Sequence, residues 1–221
     1  MMARQRSGKR MALPILLVGV GLLAAACGSS TPHITLGQTE GHLLSINQMP
    51  SGMVVSAQPH ESRATSKSQA AKYSGNPGCP FAKGDSNLLQ AHFPVASVVF
   101  TYGSPTTFSY TGEGMVNDSV SYVPSAQSKF SGVVKKMDGC TRLVYNGSHT
   151  KFTVQIHQVS FPSIGGRSVA YSISGFPARS FGLLVLAVRG DWAAELMFMA
   201  IHDTVSIHKV LPIARKAAAD L

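Results

Sequence analysis

Charge is scarce in this chain of 221 residues: only 13% are Asp, Glu, Lys or Arg, where an ordinary soluble domain carries roughly a quarter. With 44% hydrophobic residues, that excludes a polyelectrolyte, disordered chain. Acidic residues number only ten, and none is spaced to suggest paired carboxylates for acid–base work. Tryptophan occurs once and aromatics make up 8%. No basic cluster is interleaved with aromatics, so a nucleic-acid partner is not expected. A nucleophile elbow (GxSxG), a Walker A loop, a GxGxxG turn and an HExxH helix are all missing. The eight histidines form no HxH pair. His202, Asp203 and His208 lie close in sequence, but they read as a helix cap and two surface groups rather than a metal cluster. No catalytic residue, cofactor or metal is expected, and the chain reads as a non-enzyme.

The positive charge that exists is concentrated at the start. Arg4, Arg6, Lys9 and Arg10 supply four of 19 basic residues, and setting them aside leaves 15 against 10 acidic, a net charge of +5. They precede an uncharged apolar run from Met11 to Ala26 that ends in Ala24-Ala25-Ala26. The run is shorter than the roughly 20 residues needed to span a bilayer as a helix. It reads as a secretory signal over 1–26. Leu23-Ala24-Ala25-Ala26-Cys27 resembles the bacterial lipobox. That resemblance implies cleavage before Cys27 and acylation of its thiol, palmitate-type chains holding the protein to the membrane. Two acyl chains anchor stably where one does not. An ordinary signal peptide that leaves Cys27 free is the rival reading. With Cys27 assigned to lipid, Cys79 and Cys140 remain as an even pair in an oxidising compartment, and a disulfide between them is expected. Two free thiols, or a metal site lacking any CxxC spacing, are the alternatives.

After the anchor, 27–42 is polar and small-residue-rich and reads as a flexible tether. The folded domain is then 43–221. Residues 43–53 read as a short helical or extended piece closed by a turn, and 56–87 carry no strong period. Runs of β-branched and aromatic residues predict strands at 95–102, 106–111, 115–123, 151–159, 168–174, 181–189 and 192–201. Gly190-Asp191 reads as a hairpin turn. A helical stripe of Ala126, Phe130, Val133, Val134 and Met137 predicts a helix over 125–138, begun by Ser125 and ended by a left-handed Gly139. A second helix over 204–220 follows Asp203 as cap, with a kink at Pro212. The expected fold is α+β. It is a single antiparallel sheet of about 6–7 strands in βββα-ββββα order, with both main helices packed on one face.

Two features point to a binding role. Asn117, Ser119, Ser121, Thr153, Gln155, His157, Ser172 and Ser174 fall on polar alternations and carry no fixed charge. Together they read as a possible ligand face for a glycan or another neutral ligand, the competing reading being plain surface. Leu183–Val188 and Ala193–Ala200 are apolar on both alternations, which requires cover on both faces or an apolar groove.

The lipobox, LLSINQMPSG at 43–52, Cys140 closing a mid-chain helix, FPSIGGRSVAYSI at 161–173, LAVRGDWAAELMF at 186–198 and the closing amphipathic helix resemble the extracytoplasmic sensor domains of PknH-type serine/threonine kinases. A second resemblance is to the Mog1/PsbP-like lipoproteins. The first implies an antiparallel sheet with helices, a ligand cleft and two disulfides, of which this chain has cysteines for one. The function expected is that of a lipid-anchored, extracytoplasmic lipoprotein of the cell membrane. It would carry a non-enzymatic sensor-like domain, its partner a small ligand or an envelope protein. The alternative is an envelope lipid carrier or chaperone using an apolar cavity near 183–200.

Overall fold

The computed structural model describes residues 32–61, 73–75, 79, 93–102, 114–147, 150–201 and 204–221. His33–Leu221 is one compact unit. Its elements are α1 (Leu36–Glu40), β1 (Met53–Glu61), β2 (Tyr73–Gly75), β3 (Val95–Tyr102), β4 (Met115–Tyr122), α2 (Ala126–Asp138), β5 (Arg142–Asn146), β6 (Lys151–Val159), β7 (Arg167–Phe176), β8 (Ser180–Arg189), β9 (Trp192–Ile201) and α3 (Ile207–Asp220). A single 3-10 turn precedes β1 at Ile46–Gln48, and another precedes β8 at Pro177–Arg179.

The strands form one sheet in the order β1-β3-β4-β9-β8-β7-β6-β5-β2, with every described pairing antiparallel. After β4 the chain crosses through α2 to β5, one strand in from the far edge. It then returns strand by strand from β5 to β9, which closes against β4. The return ends in the expected hairpin: Arg189 pairs with Trp192 across Gly190 and Asp191, and Gly190 takes φ +59, which a β-carbon disfavours.

β8 explains how the helices are distributed. Leu183 through Val188 are all 2% exposed or less. Register places Leu183 opposite Phe198, Phe198 opposite Val116, and Val116 opposite Phe100. These side chains share one face with Val185 and Ala187, beneath α3 and the segment carrying Leu43 and Leu44. Leu184, Leu186 and Val188 point the other way and pack with Tyr171, Val154 and the α2 side chains Phe130, Val133 and Met137. A strand apolar on both alternations needs a cover on each side, and α2 and α3 supply one each.

Several expectations are therefore corrected. The helices lie on opposite faces of the sheet, not on one. The sheet has nine strands, not 6–7, and the βββα-ββββα order fails, because α1, β1 and β2 come first and five strands, not four, separate α2 from α3. β1 escaped notice because it is an edge strand. Its burial fades from Met53 to an exposed end at Gln58–Glu61, so no alternation is selected. β5 is only five residues long and β2 only three. The expected strand at 106–111 lies outside the described residues.

Residues 33–42, read as the end of a tether, are also corrected. Thr35 and Gln38 form a reciprocal capping box that starts α1, and Thr39 is fully buried. A four-residue signal of this kind stabilises a helix start without any apolar period. α2 begins at the expected place. However, Ser125 is left-handed at φ 60 and makes no side-chain cap; its N–H donates instead to Asp191 Oδ1 at 2.8 Å. Gly139 is right-handed, at φ −76. α3 runs unbroken through Pro212 from an N-cap at Ser206.

Cys79 and Cys140 form the disulfide, and both are buried in the cluster beneath α2. The bridge ties the end of α2 to the segment following β2. The loop it closes spans 61 residues of sequence separation. Chain-entropy reasoning then predicts that Cys79→Ser with Cys140→Ser lowers the unfolding free energy by about 4 kcal/mol, read as a lower urea midpoint. An unchanged midpoint would mean that the bridge constrains nothing the fold does not already hold.

Candidate functional site: a bare half-face of the sheet

Each helix covers only half of its face. On the α3 side, α3 and α1 shield β3, β4, β9 and β8, and the β5–β7 half is polar. On the α2 side the shielded part is β5–β8 with Ala193 and Met197 of β9, and polar residues of this face lie on β3 and β4. The two polar halves are diagonal to each other.

The eight residues read as one ligand face divide between these halves. Thr153, Gln155, His157, Ser172 and Ser174 lie together on the α3 side. Gln155 stands directly opposite Ser174, and His157 opposite Ser172. Gln155 and His157 are exposed, and Thr153, Ser172 and Ser174 are half-buried. The Ser172 hydroxyl donates to the His157 carbonyl at 3.3 Å. Sequence reasoning missed Arg142, which stands opposite Gln155 on β5 and is exposed. It was missed because β5 itself went unread.

Asn117, Ser119 and Ser121 lie on the α2 side, across β4. Ser119 and Ser97 share a hydrogen bond of 2.7 Å between their hydroxyls. Asn117 Oδ1 is buried without a partner. Their cross-strand neighbours are Met197 opposite Asn117, Glu195 opposite Ser119 and Ala193 opposite Ser121. Alternation alone cannot assign the polar sets of two separated strands to the same face. Only the register through β9, β8 and β7 does, and it puts these three opposite the other five.

The β5–β7 platform is shaped by its backbone. β7 bulges between Ile173 and Phe176, where Gly175 takes φ +91. A β-carbon at Gly175 would collide with the Thr153 carbonyl, so only glycine allows β7 to press this closely on β6. The platform thus offers hydroxyl, amide, imidazole and guanidinium groups on two or three adjacent strands. Such a surface hydrogen-bonds a polyhydroxyl ligand laid flat across it. No group of three His, Cys, Asp or Glu that could hold a metal ion occurs among the described residues. His202 and Asp203 lie outside them, and His208 is exposed on α3.

Among the described residues the one fully buried carboxylate, Asp118, sits elsewhere. Asp118, on β4 beneath the Leu43–Leu44 segment, accepts the Leu44 N–H at 2.8 Å through Oδ2, and its Oδ1 has no partner. Burial lifts its pKa from 3.8 to about 7; the Leu44 N–H opposes that rise and the Asp220 carboxylate adds to it. The folded chain therefore keeps a proton that the unfolded chain has released between about pH 4 and pH 7.

Two sequence comparisons are negative: no known protein family matches the chain, and no curated protein matches it. Among solved structures, the fold matches the crystal structure of the extracellular domain of PknH from Mycobacterium tuberculosis. The TM-score is 0.61 at 10% identity, over 85% of this chain and 96% of that one. The architecture implied by the sensor-domain resemblance is therefore present at the level of fold.

The Asp118 result gives a directional test. Stability falls as pH rises from about 4 to about 7 and levels off above that. Asp118→Asn flattens this part of the profile, measured by urea unfolding at a series of pH values. A wild-type profile already flat across that window would show that Asp118 is ionised in the fold.

Proposed function

We propose that this chain is a lipid-anchored, extracytoplasmic, non-enzymatic domain that binds a polyhydroxylated ligand on the β5–β7 platform. The observation that carries this reading is the uncharged hydrogen-bonding row across β6 and β7, exposed Gln155 and His157 paired with half-buried Ser174 and Ser172. A solvated sheet face with no binding role is more often studded with Lys and Glu. The PknH-type fold and the lipobox at Cys27 support the sensor-like placement outside the membrane. The lipid-carrier alternative has less support, because Leu183–Val188 are consumed by packing on both faces and none is left to line an apolar cavity. Among the described residues no helix is long and apolar enough to cross a membrane.

Two measurements test the reading. Protein extracted from the membrane fraction has a mass corresponding to a chain beginning at an acylated Cys27, and Cys27→Ser releases it to the soluble fraction. Chito-oligosaccharides, offered as probe glycans, shift the amide resonances of 151–159 and 167–176, and Gln155→Ala with His157→Ala abolishes the shifts. Shifts centred on β4 instead would move the site to the Asn117 half-face. No shifts on any strand at millimolar probe would remove the glycan assignment.

A further inference from the structure

The docked N-terminal segment and α3 lie side by side on the same face of the sheet. α1 packs on β3 and β4, α3 on β8 and β9, and both contribute to one apolar cluster. They are stitched at the C-terminal end of α3. His42 Nδ1 contacts the Asp220 carbonyl, Gln48 Nε2 donates to Asp220 Oδ2 at 2.7 Å, and Lys216 Nζ donates to the Gln48 carbonyl at 2.9 Å. The chain therefore leaves the fold on the α3 side.

His33 lies six residue steps after Cys27, with only five residues between them. Fully extended, these steps reach about 20 Å, less than the thickness of the domain's sheet plus two helix layers. An anchor at Cys27 cannot let the domain turn over freely, so the α3 face is held towards the bilayer.

That face has the chemistry for it. The outward side of α3 presents Lys209, Arg215 and Lys216, all exposed. Arg189 joins them, donating to the Ala219 carbonyl at 3.0 Å. The acidic groups beside them are Asp220, engaged by Gln48, and Glu40. Next to Lys216, on the turn Ile46–Gln48, Ile46 is 40% exposed, one of two large apolar side chains that the described residues leave open. Basic groups sharing a face with a projecting aliphatic side chain are suited to an anionic headgroup layer.

We propose that the outer face of α3, with Ile46, is a contact surface for anionic phospholipid. This rests on the anchor at Cys27. Charge alone does not single this face out, since α2 exposes Lys129, Lys135 and Lys136 on the opposite side. The position of the chain's exit does, and α2 serves as the internal control.

The test uses residues 27–221 with the disulfide formed, coupled through the Cys27 thiol to a maleimide lipid in phosphatidylcholine vesicles, with or without phosphatidylglycerol. Amide hydrogen exchange slows at 207–220 and 45–49 when phosphatidylglycerol is present, and stays unchanged at 126–138. Lys209→Glu with Arg215→Glu removes the protection; Lys135→Glu with Lys136→Glu does not. Neither pair makes a bond that the fold needs. In the untethered chain the first pair lowers partition onto phosphatidylglycerol vesicles by at least about 25-fold, about fivefold per basic residue. Equal protection of both helices, protection without phosphatidylglycerol, or persistence in the α3 pair would each overturn the proposal. Because the tether is chemical, an unacylated Cys27 in cells would sink the anchor reading without altering this outcome.

Discussion

The double burial of β8 is the constraint on which the rest of the structure depends. A strand whose six consecutive residues Leu183–Val188 are all core cannot lie under a one-sided cover. Apolar area left in water costs roughly 25 cal/mol per Å², so both faces of the sheet must be closed where β8 runs. One helix cannot do that, and α2 and α3 therefore take opposite faces. With one helix per face, neither helix covers its face over the whole width. The polar β5–β7 half, where Gln155 and His157 stay exposed, follows from this arithmetic of cover rather than from any separate design.

Asp118 fits the same picture. It occupies a position that alternation assigns to the buried face of β4, between Val116 and Val120. Its retained carboxyl works as an acceptor for the Leu44 N–H, fixing the N-terminal segment over the sheet. A buried carboxylate with one satisfied oxygen is expensive, which is why its proton is held so firmly. The contact joins the segment that leads towards Cys27 to the centre of the sheet.

Much of the fold was legible in the sequence where apolar patterning was strong. α2 announced itself by the Phe130–Val133–Met137 stripe, the last hairpin by Gly190-Asp191, and the disulfide by the parity of the cysteines. The continuous apolar run in β8 is compatible with two-sided cover or with an apolar groove, and periodicity alone does not say on which face each helix lies. Where patterning was weak, reading failed for physical reasons. β1 is a solvated edge strand, α1 is started by hydrogen bonds rather than by hydrophobic period, and β5 is too short to show a period. The candidate site suffered for a related reason. Period 2 separates the two sides of each strand but carries no sign. Whether Ser119 and Ser172 face the same way is decided by registers across three intervening pairings, which no local pattern encodes.

The stitching of His42 and Gln48 to Asp220 has a consequence for how the molecule comes into being. These partners are 178 and 172 residues apart in sequence, and the two edges of the sheet are likewise built from early strands. A chain emerging from its N-terminus must therefore keep its first docked segment waiting until its last helix arrives. Closing so long a loop before any reward is collected makes folding slow. Until α3 docks, the segment around His42 and Gln48 lacks its closing partners, so the fold is completed only once the last residues of the chain are available.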